Sequence, residues 1–236
     1  MTEKLFCNDE IIVQVKDNYE RIMENISSAM EKSGRTDKVR LMAVTKTVPY
    51  ETVNYASSLG IDLLGENRVQ EFLGKYEHYD KKCHVHFIGG LQTNKVKYIV
   101  DKVSMIQSVD SIRLADEINK RSQAFDRCMD ILIEVNIGGE ESKSGVLADG
   151  LSELADYCLA LSNVRLRGFM AIPPVDENGS SCKYFEKMER IYNDYKSKFG
   201  DQIDTLSMGM SGDYMNALRY GANIVRIGSA LFGKRS

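Results

Sequence analysis

Long hydrophobic runs and an excess of positive charge are both absent from this 236-residue sequence. No apolar run approaches the roughly 20 residues that a membrane-spanning helix needs. The 31 Lys and Arg residues are outnumbered by 34 Asp and Glu residues, which gives a formal net charge of −3. A general nucleic-acid binder carries a clustered basic excess, so this class of protein is excluded. The opening residues, MTEKLFCNDE, have neither the basic start nor the apolar stretch of a secretion signal.

Cysteine and proline are scarce. The five cysteines, at positions 7, 83, 128, 158 and 182, are far apart and form no CxxC motif. This spacing indicates reduced thiols in a cytoplasmic protein. Only three prolines occur, and no segment rich in Pro, Gly or Ser resembles an interdomain linker. We therefore expect residues 1–236 to form a single domain.

Familiar catalytic motifs are missing as well. The sequence contains no GxGxxG, GxxxxGK[ST], GxSxG or HExxH motif. It therefore gives no motif evidence for a dinucleotide-binding protein, a P-loop nucleotide-binding protein or an α/β-hydrolase. His84 and His86 share one face of a predicted strand, but Cys83 points the other way. Because catalytic zinc needs three protein ligands in one place, we expect no metal site.

The hydrophobic pattern predicts one long helix, from about residue 10 to residue 32, and then alternating strands and helices. Eight β-type runs fall at 39–45, 61–64, 85–88, 104–107, 131–135, 166–170, 205–208 and 224–227, with helical patterns in the gaps. These strands are apolar almost throughout, which is typical of a buried parallel sheet. The expected fold is α/β, a single-domain (β/α)8 TIM-type barrel over 37–236 with an extra N-terminal helix over 1–36. A doubly wound open sheet is the alternative.

Polar residues follow the predicted strands, where a barrel of this kind holds its active site. Lys46 ends the first strand and is either a Schiff-base nucleophile or a lysine that extends into solvent. Ser211-Gly212 and Gly228-Ser229 are each expected to open a helix after the last two strands. They could bind phosphate through backbone N–H groups, or the serines could simply cap the helices.

Two further polar residues lie within predicted strands. Arg226 interrupts the apolar strand NIVRIG, and its buried guanidinium needs an acceptor, either a structural partner or a ligand atom. His86 is interpreted as a hydrogen-bonding group of the pocket or as a satisfied core histidine.

Eight segments together resemble the pyridoxal phosphate homeostasis protein family, whose members are similar to the barrel domain of alanine racemase. The segments are AVTK at 43–46, LGENRVQE at 64–71, HFIGGLQTNK at 86–95, SVD at 108–110, VNIGGEESKSG at 135–145, GFMAIPP at 168–174, LSMGMSGD at 206–213 and VRIGSALFG at 225–233. Two positions depart from the family pattern: Val85 stands where many relatives have Trp, and Gly90 stands where a larger residue is common.

The resemblance implies roles for matched positions. Lys46 would form the aldimine with pyridoxal 5′-phosphate (PLP), and Arg226 would face the pyridine nitrogen. The phosphate would be held by Ser211, Gly228 and Ser229. The remaining pocket residues would be Asn67, His86, Ser207 and Met208.

The function implied by the resemblance is a cytoplasmic, monomeric PLP-binding protein that holds the cofactor as a reversible Schiff base. It would take part in PLP homeostasis and pass the cofactor to client enzymes without catalytic turnover. A PLP-dependent amino-acid racemase, with Tyr214 as a base, is one alternative. A class I aldolase that uses Lys46 on a sugar phosphate is another.

Overall fold

The computed structural model describes residues 9–140, 143–174 and 180–233, which form one closed barrel with a helix in front of it. The eight strands are β1 Arg40–Val44, β2 Leu63–Glu66, β3 His84–Phe87, β4 Met105–Val109, β5 Met129–Glu134, β6 Val164–Met170, β7 Thr205–Ser207 and β8 Ile224–Ile227. The helices are α1 Asp9–Lys32, α2 Tyr50–Ser58, α3 Val69–Lys75, α4 Ile112–Ala124, α5 Leu151–Ala160, α6 Cys182–Phe199, α7 Tyr214–Arg219 and α8 Ser229–Phe232. A 3₁₀ helix, Thr93–Tyr98, takes the place of an α-helix between β3 and β4.

Each strand pairs in parallel with the next, and β8 pairs with β1, where Arg226 lies opposite Met42. The predicted (β/α)8 barrel is therefore confirmed, and the open-sheet alternative is wrong. Closure explains why the strands read as continuous apolar runs, because helices cover their outer face and the barrel core covers their inner face.

Two apolar layers lie on the two faces of the sheet. The outer layer, between strands and helices, contains the fully buried rings of Phe72, Phe87, Phe169 and Phe185. The inner layer fills the barrel with small clusters of aliphatic and Met side chains: Met42, Leu63, Ile88 and Ile224, and Met105, Leu132 and Met170. Burial of these side chains supplies most of the driving force for folding.

Helix α1 packs on the side of the barrel where β8 pairs with β1 and closes the sheet. Its buried face includes Val15, Ile22 and Ile26. The side-chain amide of Asn18 donates to the carbonyl oxygen of Leu231 in α8 at 3.0 Å. Just beyond α1, Arg35 donates to the carbonyl oxygen of Ala222 at 3.1 Å. The predicted N-terminal helix is thus an integral layer of the domain.

No helix in the described ranges combines the length and the hydrophobicity that crossing a membrane requires. The four cysteines within those ranges, at positions 83, 128, 158 and 182, are all free thiols.

Candidate functional site

A cavity of about 640 Å³, here called the mouth cavity, lies at the carboxyl ends of the strands. Its lining combines polar groups and glycines with a few aliphatic side chains: Val44, Lys46, Asn67, Ile88, Ile172, Met210, Ser211, Gly212, Arg226, Gly228 and Ser229. Six of the nine residues predicted to bind a ligand therefore line one cavity, although they come from distant parts of the chain. The other three lie elsewhere.

Lys46 lies just beyond β1, half-buried, and its amine has no hydrogen bond or ion pair with any described residue. The backbone on both sides of it is held in place. The hydroxyl of Thr45 donates to Oε1 of Glu66 at 2.7 Å, and the backbone N–H of Thr47 donates to Oε1 of Glu71 at 2.5 Å. Thr47 also has a positive φ of 63°. A free amine on a fixed stretch of backbone suits covalent attachment to a ligand.

A buried ionic cluster produces this fixation. Glu66 is completely buried at the end of β2, and Nζ of Lys75 lies 2.9 Å from its Oε1. The same amine contacts Oε1 of Glu71 and the carbonyl oxygen of Thr45, each at 2.9 Å. The hydroxyl of Tyr79 also donates to Glu66. Burial, together with the negative charge of Glu66, raises the pKa of Tyr79, so its hydroxyl keeps its proton. We did not identify this cluster from the sequence; its only signal is a glutamate within the buried strand LLGE.

The two glycine-serine segments lie side by side, but only one of them opens a helix. Ser229 begins α8, as predicted. Ser211 and Gly212 instead belong to a turn, and α7 begins after it, because Asp213 accepts a hydrogen bond from the N–H of Met210 at 2.7 Å and closes the turn. The hydroxyl of Ser211 caps the neighbouring helix instead, by accepting from the N–H of Ala230 at 3.1 Å.

Backbone N–H groups of these two segments are placed to bind an anion. Among the described residues, no acceptor bonds the backbone N–H groups of Gly212 and Ser229. A Cβ atom added at Gly212 would meet nothing within 4 Å, so there is open space beside that amide. Unpaired N–H groups at an open turn and a helix start can bind an oxyanion such as a phosphate.

Arg226 lies inside the barrel beneath these segments, and protein oxygens satisfy much of its guanidinium. Nη1 donates to the carbonyl oxygen and the hydroxyl of Ser207, both at 2.8 Å, and Nη2 donates to the carbonyl oxygen of Ala171 at 2.8 Å. Burial lowers the pKa of Arg226 to about 10, so the group remains charged at neutral pH. A charged donor therefore lies at the bottom of the mouth cavity, oriented by Ser207 of β7 and by Ala171, which directly follows β6.

Three predicted pocket residues lie outside the mouth cavity, and one candidate base does too. Ser207 is fully buried between Arg226 and Gln107. Met208 follows Ser207, so its side chain points the opposite way, into the layer between sheet and helices. His86 faces the barrel interior, but two residues before Ile88, which puts it about 7 Å further from the mouth. The hydroxyl of Tyr214 accepts from Asn25 of α1 at 3.0 Å, outside the cavity.

Asn67 completes the polar lining. Its Oδ1 atom is buried and has no hydrogen-bond partner within the described ranges. Leaving such an oxygen unpaired costs about 1–3 kcal/mol, so the position is typical of one that a ligand satisfies. The backbone of Asn67 packs directly on Gly89, where an added Cβ would lie 2.2 Å from the Asn67 carbonyl oxygen.

The adjacent glycines therefore give a matched pair of variants. We expect Gly89→Ala to lower the free energy of unfolding by roughly 3 kcal/mol, because the methyl group must displace backbone atoms of Asn67. At Gly90 a Cβ meets nothing within 4 Å, so Gly90→Ala should change stability by less than about 1 kcal/mol. Urea denaturation of both variants measures the difference; equal effects would contradict the close packing of Gly89 on Asn67.

Glu134 is a titratable residue near the mouth that we did not predict from the sequence. It ends β5 and lines a smaller cavity of about 180 Å³ with Asn136, Lys143 and Ile172, the last of which also lines the mouth cavity. Burial and, to a smaller extent, the nearby charge of Asp110 raise the pKa of Glu134 to about 7, against the opposing effect of Arg226. The only sequence signal is a carboxylate at the end of an apolar strand, ILIE.

The raised pKa predicts a pH-dependent stability. Between the ordinary value of 4.5 and about 7, the folded protein keeps a proton that the unfolded chain has released. Stability is therefore lost as pH rises through this window. Glu134→Gln removes the loss and should be more stable than the wild type by up to about 3 kcal/mol at pH 8, but not at pH 4.5. Urea denaturation at both pH values tests this, with exposed Glu153→Gln as the control; parallel pH profiles of wild type and Glu134→Gln would contradict it.

Comparison with known proteins places the chain among well-defined relatives. Residues 18–236 match the profile of the alanine racemase N-terminal domain family. A pyridoxal phosphate homeostasis protein of Aquifex aeolicus is 46% identical over 218 residues, which cover 91% of this chain and 96% of that protein. The crystal structure of an unknown protein from Bifidobacterium adolescentis is 33% identical, with a TM-score of 0.90 over 96% of this chain and 98% of that one. PipY of Synechococcus elongatus with PLP bound is 29% identical, with a TM-score of 0.75 over 89% of this chain and 99% of that one.

Proposed function

Since the chain belongs to the alanine racemase N-terminal domain family, with pyridoxal phosphate homeostasis proteins as relatives over almost their full length, we propose that it binds PLP in the mouth cavity and takes part in PLP homeostasis. The observation that carries this proposal is the joint placement in one cavity of a buried arginine, a lysine amine and backbone N–H groups, the last two without a partner among the described residues. PLP offers an aldehyde, a phosphate and a pyridine ring to these groups.

Lys46 supplies the covalent anchor. Its amine attacks the aldehyde carbon, a C=N bond forms, and the aldehyde oxygen leaves as water. The reaction is reversible, so the protein can hold a reactive aldehyde and release it to client enzymes. Hydrogen bonds at Thr45 and Thr47 hold the backbone on both sides of Lys46, and the amine of Lys46 is thereby directed into the cavity.

The phosphate and the ring have separate binding groups. The N–H groups of Gly212 and Ser229, with the hydroxyls of Ser211 and Ser229 and the bare backbone of Gly228, form the phosphate site. Arg226 faces the pyridine nitrogen. When bound, PLP supplies an electrophilic aldehyde and a ring that can accept electrons, but an arginine does not readily give its proton to the ring nitrogen. Arg226 thereby keeps the ring a weak electron sink.

The lining of the mouth cavity favours holding the cofactor over amino-acid turnover. Apart from Lys46, the described lining contains no Tyr, His, Cys, Asp or Glu that could serve as a second proton-transfer group. Tyr214 bonds to Asn25 on the outer side of the barrel, and Glu134 lines the smaller neighbouring cavity. Racemisation needs a base on each face of the substrate, and this chain's described cavity offers one amine.

The test is to add PLP, reduce with borohydride and map the modified peptide by mass spectrometry, while assaying racemisation of D- and L-alanine on the same batch. We expect the label on Lys46 and no racemisation. Label on Lys46 with racemisation that is lost in Lys46→Ala would make the protein a racemase. Absence of label from Lys46 would overturn the proposal and favour a sugar-phosphate aldolase that uses the same cavity.

A further inference from the structure

A second cavity lies at the opposite end of the barrel, at the amino ends of the strands. This floor cavity measures about 390 Å³ and is lined by Lys38, Arg40, His86, Asp130, Arg167 and Asp204, among others. Both carboxylates already have cation partners: Asp204 pairs with Arg167, and Asp130 pairs with Arg165 at 2.6 Å. The guanidinium of Arg40 forms an ion pair with Asp62 at 3.1 Å. Lys38, in contrast, has no ion pair with any residue that the structure describes.

His86 is the buried polar group of this cavity, and one of its ring nitrogens is committed. Its Nδ1 lies 2.8 Å from Nε2 of Gln107. The Oε1 atom of the same amide lies 2.8 Å from the hydroxyl of Ser207, and that hydroxyl lies 2.8 Å from Nη1 of Arg226. One chain of hydrogen bonds therefore runs along the barrel interior from the mouth cavity to the floor cavity.

The donor and acceptor in each of these hydrogen bonds follow from Arg226, at the start of the series. Arginine can only donate, so the hydroxyl of Ser207 accepts from Arg226 and donates its own proton to Oε1 of Gln107. The amide nitrogen of Gln107 then donates to Nδ1 of His86, which must be the unprotonated nitrogen. The proton of the neutral ring is therefore on Nε2. That N–H has no partner among the described residues, although 96% of the surface of His86 is removed from solvent.

We propose that the floor cavity binds a small oxyanion, a phosphate or a carboxylate, with the Nε2–H group of His86 as the buried donor and Lys38 and Arg40 as the charged rim. Among the described lining residues, the Nε2–H group of His86 and the ammonium of Lys38 have no protein partner, whereas both carboxylates are paired with arginines, so an anion complements the cavity better than a cation does. Burial, with help from the nearby charge of Arg40, lowers the pKa of His86 to about 3, so Nε2 acts as a neutral donor throughout the physiological pH range. The site is separate from the mouth cavity and does not depend on PLP binding.

The chain contains three histidines, so long-range ¹H–¹⁵N spectra of the imidazole rings can follow His86 directly. Inorganic phosphate is titrated into the full-length protein at constant ionic strength and pH 7.5. We expect His86 to show the Nε2-protonated tautomer and its signals to move saturably with phosphate. A parallel titration with acetate separates a carboxylate ligand from a phosphate ligand.

Two lysine variants localise the response. Lys38→Gln, at an exposed position of the rim, should weaken the apparent affinity roughly three- to tenfold. Lys120→Gln, which makes the same charge change on the exposed face of α4, should not alter it. Ser229→Ala weakens phosphate binding at the mouth and should leave the response of His86 unchanged. An Nδ1-protonated ring, no saturable shift with either anion, equal affinities of the two lysine variants, or a response that is lost in Ser229→Ala would each overturn the proposal.

Discussion

Replacing Lys46 with alanine is expected to abolish the borohydride-stable label and to weaken retention of PLP by roughly 100-fold. The amine is the only group in the described lining of the mouth cavity that can bond covalently to an aldehyde. The groups proposed for the phosphate and the ring, such as Ser229 and Arg226, remain in the variant, so weak non-covalent binding should survive. Equilibrium dialysis of PLP, together with mass spectrometry after reduction, measures both effects.

Lys46→Arg separates the charge of this residue from its nucleophilicity. It keeps a cation at the same position, but a guanidinium does not form the reversible C=N bond, so it should lose the label as completely as Lys46→Ala. Lys97→Ala removes an exposed lysine of the 3₁₀ helix Thr93–Tyr98 and should retain full labelling. If Lys46→Arg or Lys46→Ala still carried a single stoichiometric label after reduction, another amine would be the anchor.

Removal of the Lys75 ammonium is the change expected to affect stability most. In Lys75→Met, the fully buried Glu66 and the neighbouring Glu71 lose their shared cation, which lies 2.9 Å from each carboxylate. Leaving a buried charge without its partner in this way lowers the free energy of unfolding by about 3–5 kcal/mol. The second oxygen of Glu66, Oε2, already has no partner in the described part of the chain, so it cannot compensate. Urea denaturation at pH 7 gives the change in the free energy of unfolding.

Lys81→Met is the matched control. Its partner Glu77 is also four residues away along the chain, but both side chains are about three-quarters exposed, and their separation is 3.4 Å. An exposed pair of this kind contributes at most about 1 kcal/mol. Lys75→Met should also slow labelling of Lys46, since Lys75 holds the carbonyl oxygen of Thr45. Equal stability of the two variants would show that the cluster does not support the β1–α2 loop.

The fold could be predicted from sequence because its pattern is local and repeated. Eight apolar runs alternate with helical segments, and a parallel strand buried on both faces has to be apolar over its whole length. Closure of the sheet between β8 and β1 is a long-range event, yet the number and order of the units favoured it. Strand limits differed by only a residue or two, for example at β7, which ends at Ser207 instead of Met208.

Part of the site could be predicted for the same reason. A polar residue that follows a barrel strand lies at the mouth of the barrel. Lys46, Asn67 and the segments that contain Ser211 and Gly228 could therefore be assigned to the mouth from their positions in the chain. The resemblance to PLP-binding relatives then added chemical roles to these positions. Glu134 also lies near the mouth, but this rule does not identify it, because it is the last residue of its strand and not the residue beyond it.

What the sequence determined by itself is the order of the strands and the face on which each residue lies. Only the tertiary structure decided depth along the barrel axis and the identity of distant partners. His86 shares an inward face with Ile88 but lies one layer deeper, and Ser207 meets Gln107 across 100 residues of chain. Likewise, Lys75 neutralises Glu66 from a different element. A side-chain period of two specifies a face, whereas the stagger of a closed sheet and the packing around it specify height and contact.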